Sequence, residues 1–234
     1  MIMDFRERLI VALDVPSTED AIVLVEKIGD AANFYKIGLE LLYAGGMELA
    51  RQLIDEGYKV FIDAKLHDIP NTVERAVQQI SNLGASLLTV HAYPQTMQAA
   101  LQGRNESKLR IIGVTILTSM AEHDAKNAGY DKSITDIVSA RAQSARDIGI
   151  DGIVCSPQEA KASRKILGPD ALIVTPGIRM ADHDSGDQSR IATPSGALRD
   201  GASHLVVGRP ITRAKDPRAA AQSILEDMAG AKAA

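Results

Sequence analysis

Short apolar runs alternate along the chain with longer amphipathic stretches. Eight of the apolar runs predict β-strands, namely Leu9–Leu13, Phe34–Ile37, Lys59–Ile62, Ser86–Val90, Arg110–Ile116, Gly152–Val154, Ala171–Val174 and His204–Val207. The clearest helical patterns lie between or after them, at Thr18–Ile28, Thr72–Leu83, Pro94–Gln102, Ser133–Ile148, Pro157–Leu167 and Pro217–Met228. Because a crossover of this length joins parallel strands, the rhythm predicts a parallel sheet.

This repetition of strand and helix predicts an α/β protein with the (β/α)₈ TIM-barrel fold, a closed eight-stranded parallel sheet in one domain over residues 1–234. An open doubly wound sheet is the alternative. Such sheets often carry a Gly-x-Gly-x-x-Gly turn after the first strand to bind a dinucleotide, and none follows Leu13 here. The closed barrel is therefore favoured.

Composition narrows the possible partners. The chain is 45% hydrophobic but only 3% aromatic, with no Trp, so aliphatic residues must fill the core. A net charge of −4 gives no general attraction for nucleic acid or an anionic membrane, so a small anion must be held by a local group of Lys and Arg. No run of about 18 apolar residues predicts a membrane-spanning helix.

Cys155 is the single cysteine, which excludes an intrachain disulfide and a cysteine-rich metal site. With no signal-peptide pattern at the start of the chain, this favours a cytoplasmic protein. Cys155 follows an apolar pair and has no identifiable partner base, so it is expected to be a small buried residue and not a nucleophile.

Polar residues follow almost every predicted strand. In a barrel of this kind the reactive groups lie at the carboxyl ends of the strands, so these residues are expected to meet at one mouth. They are Asp14, Lys36, Asp63, Lys65, His91, Thr118, Ser119, Ser156, Arg179, Gly208 and Arg209. His67 also lies near the mouth, whereas His123, His183 and His204 show no metal-ligand spacing.

Three of these charged residues predict a reactive cluster. Asp63 and Lys65 are two residues apart, so both side chains point into the mouth if the strand continues through them. Lys36 comes from the neighbouring strand. Burying the three charges is unfavourable unless they pair, which makes the cluster either structural or catalytic. The carboxyl end of the barrel favours the catalytic interpretation.

Gly208 and Arg209 predict a phosphate site, because a glycine lets backbone N–H groups approach an anion and the arginine adds a fork of donors. Taken alone, Gly208 is more commonly an ordinary turn glycine, but the loops after strands seven and eight often bind phosphate in these barrels, and this position favours the phosphate site. Residues 177–194 lack apolar periodicity and predict a long loop. Such a loop is either a lid or a surface loop without a role.

The run Asp63-Ala-Lys-Leu-His-Asp-Ile-Pro-Asn-Thr72 closely resembles the signature of the orotidine 5′-monophosphate decarboxylase family of (β/α)₈ barrels. Shorter blocks at 12–14, 35–38, 117–119, 175–179 and 207–209 also resemble that family, in the same order. The resemblance covers essentially the whole chain. It implies decarboxylation of orotidine 5′-monophosphate to UMP, the last step of de novo pyrimidine nucleotide synthesis, without a metal or organic cofactor.

The resemblance also implies roles for individual residues. The catalytic array is Lys36, Asp63, Lys65 and Asp68, with Lys65 protonating C6 of the pyrimidine. In the implied homodimer, Asp68 and Ile69 reach the partner's active site. The implied substrate-binding residues are Asp14, Lys36, Asp63, Ile69, Thr72, Thr118, Ser119, Arg179, Gln188, Gly208 and Arg209.

A metal-dependent relative is the alternative. Mg²⁺-dependent sugar-phosphate aldolases or decarboxylases of the same superfamily share the Asp-x-Lys-x-x-Asp skeleton. They are expected to carry an acidic metal ligand at the end of strand two, where this chain has Lys36. Because an ammonium group repels a cation, Lys36 favours the metal-independent reaction.

Overall fold

Eight parallel strands close into a barrel in chain order in the computed structural model, which describes residues 4–180 and 192–231. The strands are β1 Leu9–Ala12, β2 Phe34–Ile37, β3 Lys59–Leu66, β4 Leu87–His91, β5 Arg110–Val114, β6 Gly152–Val154, β7 Leu172–Thr175 and β8 His204–Val207. β1 pairs with both β2 and β8, which closes the sheet. The predicted (β/α)₈ fold is confirmed, and the open sheet is excluded.

Helices follow the strands around the outside of the barrel. In the described part of the chain they are α1 Thr18–Ile28, α2 Leu39–Leu41, α3 Met47–Asp55, α4 Pro70–Leu83, α5 Pro94–Arg104, α6 Glu122–Asn127, α7 Ile134–Ile148, α8 Pro157–Leu167, α9 Pro194–Arg199, α10 Arg209–Thr212 and α11 Pro217–Gly230. The segment Leu42–Gly46 joins α2 to α3 through a kink, where Ala44 and Gly45 depart from helical geometry. No helix within the described residues combines the length and apolar character that crossing a membrane requires.

The helix α4 shows how sequence fixes the element that follows the Asp-x-Lys motif. Pro70 occupies the first turn, where a missing N–H costs nothing, and Gly84 ends the helix in the left-handed conformation. Between them Val73, Val77 and Ile80 are buried on one face. This packing fixes the start of α4 and thereby the short β3–α4 connection that carries Asp68 and Ile69.

Side chains fill the barrel interior. A separate buried cluster inside the sheet consists of Ile10, Phe34, Phe61, Leu87, Ile112, Leu172 and Val174. The opposite strand faces join a larger cluster that includes the helices, so both faces of the sheet are covered. Cys155 is fully buried, as predicted. The packed interior leaves reactive side chains to the ends of the strands.

The third strand departs from its predicted bounds. β3 continues to Leu66, beyond the predicted end at Ile62, so Asp63 and Lys65 lie within the strand and not after it. Its register against β4 shifts between Ile62 and Leu66, an irregularity that has no signal in the apolar pattern.

β5 is shorter than predicted and ends at Val114, so Ile116 belongs to the following loop.

His204 lies at the amino end of β8, where its ring meets the edge of Phe34 with centroids 6.2 Å apart. Burial lowers the pKa of His204 to about 4, and the positive charges of Arg8, Arg110 and Lys59 act in the same direction. In an unfolded chain a histidine titrates near its ordinary pKa of about 6.5. Between these two values the unfolded chain therefore binds the proton more strongly than the folded chain does.

This difference predicts acid sensitivity. Because the folded chain favours neutral His204, this contribution to the free energy of unfolding is fully present above about pH 6.5. It is lost as the pH falls towards about 4, and the total loss is on the order of 3 kcal/mol. Urea unfolding between pH 7 and pH 4.5 measures the loss. The variant His204→Gln should show a smaller loss than the wild type. The control His123→Gln removes a histidine whose side chain is 77% exposed, and it should leave the loss that is attributed to His204 in place. An unchanged slope in His204→Gln would exclude this origin.

Candidate active site at the carboxyl end of the barrel

A cavity of about 360 Å³ opens at the carboxyl ends of the strands. Its floor is formed by apolar side chains of the barrel interior, including Phe61, Val114 and Val174. Nine of the predicted site residues line its walls: Asp14, Lys36, Asp63, Lys65, Thr118, Ser119, Arg179, Gly208 and Arg209. The structure thus brings together in one cavity residues that the chain spaces almost 200 positions apart, from 14 to 209.

One wall of the cavity holds an array of alternating charges. Lys36 Nζ lies 2.8 Å from Asp14 Oδ1 and 3.4 Å from Asp63 Oδ2. Lys65 Nζ lies 2.9 Å from the other Asp63 oxygen, Oδ1. The side chains of Asp63 and Lys65 therefore meet on the same side of β3, as their spacing predicts. Each ammonium group has an acidic partner, so the charges are paired in the absence of any ligand.

The electrostatics keep this array ionised. Burial raises the pKa of Asp63, but the positive charges of Lys36 and Lys65 outweigh it and bring the pKa below its usual value. Burial likewise lowers the pKa of Lys36, and the charges of Asp63 and Asp14 reverse the effect and raise it. At neutral pH both side chains are therefore charged, and the cavity presents fixed charges without first having to move a proton.

Thr89 is the important contact that the sequence analysis missed. Its hydroxyl lies on β4, fully buried, and donates to Asp63 Oδ1 at 2.8 Å. The same oxygen, Thr89 Oγ1, accepts the backbone N–H of Lys65 at 3.0 Å. A threonine inside an apolar strand is an ordinary β-branched residue by its pattern. The sequence offered one signal, because Thr89 is the polar residue in the otherwise apolar run Leu87-Leu88-Thr89-Val90.

The opposite part of the cavity is suited to an anion. Arg209 begins α10 directly after Gly208. A Cβ added to Gly208 would lie 3.5 Å from the Ala12 side chain, which is an ordinary van der Waals contact. Arg179 is 9% exposed and donates to the Ile178 carbonyl at 2.8 Å. Burial lowers the pKa of Arg179, and the charge of Arg209 adds to this effect. Two guanidinium groups that line the same cavity favour an anion there.

Three of the residues whose roles the resemblance implies lie outside this cavity, and Ser156, which was expected at the mouth, does not line it either. Asp68 and Thr72 are exposed, and the Ile69 side chain is 67% exposed. Asp68 Oδ1 accepts the N–H of Ile69 at 2.6 Å, so this carboxylate caps its own loop at the start of α4. Thr72 does not line the cavity of its own chain, so its contact with substrate stays a prediction. A single chain places none of the three in its own cavity.

The predicted lid lies mostly outside the described residues, as does Gln188. Its two ends are described. Ile178 forms a parallel bridge with Ala192, and the N–H of Arg179 donates to the Ala192 carbonyl at 3.0 Å. These bonds hold the two ends of the 177–194 segment together beside Arg179. Its role as a lid stays a prediction.

The two histidines predicted near the mouth do not line the cavity. His67 stacks on Tyr93, with centroids 4.6 Å apart, and its Nδ1 lies 3.2 Å from Thr96 Oγ1. His91 packs edge-on to His67. Within residues 4–180 and 192–231, no three or more His, Cys, Asp or Glu side chains are grouped so that they could hold a metal ion.

Fold and cavity together define a class of protein. A (β/α)₈ barrel with a Lys-Asp array at its carboxyl end and paired arginines beside it is typical of an enzyme that acts on a phosphorylated substrate. A family model matches residues 7–224, and the chain belongs to the Orotidine 5′-phosphate decarboxylase / HUMPS family. The resemblance found in the motifs is confirmed.

Named relatives agree with this assignment. An Orotidine 5′-phosphate decarboxylase of Methylobacterium sp. (strain 4-46) is 60% identical over 229 residues, covering 97% of both chains. One of Rhodopseudomonas palustris (strain HaA2) is 55% identical over 227 residues, again covering 97% of both. The crystal structure of Orotidine 5′-phosphate decarboxylase from Lactobacillus acidophilus aligns with a TM-score of 0.84 at 37% identity, covering 94% of this chain and 98% of that one.

Proposed function

We propose that this chain is a carboxy-lyase that decarboxylates orotidine 5′-monophosphate to UMP in pyrimidine nucleotide synthesis. The observation that carries the proposal is the ionised array of Lys36, Asp63 and Lys65 in a cavity that also holds Gly208 and Arg209. Membership of the family and relatives of that name at 60% identity support the same reaction.

The chemistry requires a fixed positive charge. Loss of CO₂ from C6 of the pyrimidine leaves an electron pair in the plane of the ring, where the π system does not delocalise it. The enzyme must therefore stabilise this pair by charges that are already in place. The Lys65 ammonium is the group suited to the task, because it lines the cavity and is held by Asp63 at 2.9 Å. In this mechanism it then protonates C6.

Asp63 and Lys36 hold Lys65 in place. Asp63 uses one oxygen for Lys65 and the other for Lys36, so its carboxylate is fixed between two cations. Lys36 also binds Asp14, which connects the array to the residue assigned to the ribose. No metal or organic cofactor takes part in this mechanism, since Lys65 supplies both the stabilising charge and the proton.

The remaining walls provide contacts to the rest of the nucleotide. Gly208, Arg209 and Arg179 are assigned to the phosphate, and Gln188 is assigned there by resemblance alone. Thr118 and Ser119 line the cavity and offer hydroxyl groups to the pyrimidine edge. The phosphate lies far from the bond that breaks, so its binding energy is available to close the site around the base.

Asp68 and Ile69 are assigned to the active site of a partner subunit. Their exposure outside their own cavity supports this, because a second subunit would cover the Ile69 side chain, which is 67% exposed. The proposed assembly is a homodimer in which each site uses Asp68 of the other chain. Association of the two chains then supplies Asp68, the fourth member of the Lys-Asp-Lys-Asp array.

Subunit mixing tests this assembly. Lys65→Ala and Asp68→Ala should each be nearly inactive alone. After the two are mixed and allowed to exchange subunits, half of the dimers are hybrids with one intact site, so about a quarter of wild-type activity should return. Mixing Lys65→Ala with Asp63→Ala, which disable the same chain's cavity, is the matched control and should restore none. Equal recovery in both mixtures would contradict a shared site.

The reaction itself is tested by ultraviolet absorbance of orotidine 5′-monophosphate mixed with the purified protein in EDTA, with released CO₂ trapped. Conversion to UMP with stoichiometric CO₂ is the expected result. Activity that appears only with Mg²⁺ and a ketose phosphate would contradict the proposal and favour the metal-dependent relatives. Lys36 argues against them, because it already pairs with both nearby carboxylates, Asp14 and Asp63.

A further inference from the structure

The backbone of Lys65 adopts an unusual conformation. Its φ is 48°, and among the described residues only Asn105 shares a positive φ without being glycine. Asn105 follows the end of α5, and asparagine tolerates a positive φ better than most residues do. Lys65 instead lies inside a strand, where its Cβ crowds the following carbonyl in the left-handed region. Surrounding contacts must therefore hold it there.

The strand pairing shows where that support comes from. Ile62 is opposite Leu88, and Leu66 is opposite Val90. Three residues of β3, Asp63 to Lys65, thus face a single residue of β4, which is Thr89. This bulge turns the side chains of Asp63 and Lys65 together into the cavity and interrupts the regular ladder of backbone hydrogen bonds.

The Thr89 hydroxyl takes the place of the interrupted ladder. It accepts the Lys65 N–H at 3.0 Å and donates to Asp63 Oδ1 at 2.8 Å. The same Asp63 oxygen accepts Lys65 Nζ at 2.9 Å. The three contacts form a closed ring that joins the backbone of Lys65 to its own ammonium group, and Thr89 is fully buried, so water does not compete for these bonds.

We propose that Thr89 is a positioning residue: its hydroxyl fixes the left-handed Lys65 backbone and the Asp63 carboxylate together, and so sets where the Lys65 ammonium lies. This inference rests on the proposed function for its kinetic consequences. Thr89 does not line the cavity and acts only through Asp63 and Lys65. It orients the ammonium group before the substrate binds, which is the condition for efficient electrostatic catalysis.

Replacing the hydroxyl by a methyl group tests this role. Thr89→Val keeps the shape of the side chain but removes both hydrogen bonds, so kcat should fall about 10²-fold, the loss typical of a displaced electrostatic group. KM should change less than about threefold, because the groups assigned to phosphate and ribose are untouched. Thr89→Ser keeps the hydroxyl and should retain kcat within about threefold of the wild type.

A pH profile gives a readout that packing alone does not change. The groups that face Asp63 are Lys36, Lys65 and Thr89, with Asp14 reached through Lys36. Each of the three direct partners lowers the pKa of Asp63. Loss of the Thr89 donor should therefore move the acid limb of kcat to higher pH.

Matched variants separate positioning from packing. Thr115 is also fully buried and donates its hydroxyl to the Val154 carbonyl at 2.9 Å, away from Asp63. Thr115→Val should lose comparable stability but keep kcat and the acid limb. If Thr89→Val fails to fold, the pair Thr89→Ser and Thr89→Ala makes the same comparison, because both lack the methyl group and differ only in the oxygen.

The outcomes are distinguishable. A folded Thr89→Val with wild-type kcat and acid limb overturns the inference, as does an equal loss in Thr89→Ser and Thr89→Ala. If the wild type does not act on orotidine 5′-monophosphate, the proposed function fails. A crystal structure of Thr89→Val then tests the positioning role independently of activity. In that structure the backbone of Lys65 should leave positive φ or the side chain of Asp63 should rotate. An unchanged arrangement of both residues would refute it.

Discussion

Replacing Lys65 by alanine is expected to lower kcat for decarboxylation by at least about 10⁴-fold, because in the proposed mechanism one group supplies both the proton for C6 and the charge that stabilises the carbanion. The site leaves no obvious substitute. Lys36 is held between Asp14 and Asp63, at 2.8 and 3.4 Å, on the far side of the shared carboxylate. Steady-state kinetics on orotidine 5′-monophosphate measure the loss.

The matched control is Lys161→Ala, which removes an exposed lysine of α8 that does not line the cavity, and it should keep the wild-type rate. Thermal unfolding should show both variants folded. Removing Lys65 also leaves Asp63 with a single cation, so a modest change in stability is expected in that variant only. A folded Lys65→Ala enzyme with near-wild-type kcat would contradict the assignment and place the proton donor elsewhere.

The second large effect is expected at a residue remote from the reacting carbon. Arg209→Ala should lower kcat/KM by about 10³-fold, since the variant would lose the charge-assisted hydrogen bonds to phosphate that are proposed for Arg209. Arg179 remains in the cavity and retains part of the binding. The loss should be distributed over KM and kcat, because phosphate binding energy is used to close the site as well as to hold the nucleotide.

Two comparisons make this result specific. Arg213→Ala removes the exposed arginine that follows the same short helix, α10, and should leave the kinetics unchanged. Orotidine without its phosphate should react slowly with the wild type and no more slowly with Arg209→Ala, because the arginine then has no ligand. A large loss on orotidine as well would show that Arg209 supports the structure of the mouth and not the phosphate.

Most of the fold could be predicted from the chain because its elements follow local rules. Strands buried on both faces are continuous apolar runs, and the helices between them carry their own start and stop signals, such as Pro70 and Gly84 on α4. Eight such units leave few alternatives to a closed barrel. The differences lie at strand and helix ends and in short helices that were not predicted, such as α3 and α6. The bulge in β3 depends on its neighbour β4 and has no local signature.

The site was predictable where position along a strand determines it. Asp14, Lys36, Asp63 and Lys65 all follow or end apolar runs, and the barrel brings such positions to one mouth. Thr89 escaped notice because it acts across two strands, and a strand threonine shows its hydrogen bonds only once the register is known. The separation of Asp68 and Thr72 from the cavity depends on the path that the chain takes after β3. That path also required the structure.

The most direct test of the central claim is a crystal structure of the protein with UMP. The account predicts the phosphate against Gly208 and Arg209, the ribose beside Asp14 and Lys36, and C6 of the pyrimidine within about 3.5 Å of Lys65 Nζ, the separation of groups poised for reaction. UMP bound with its base turned away from Lys65, or bound outside this cavity, would contradict the account.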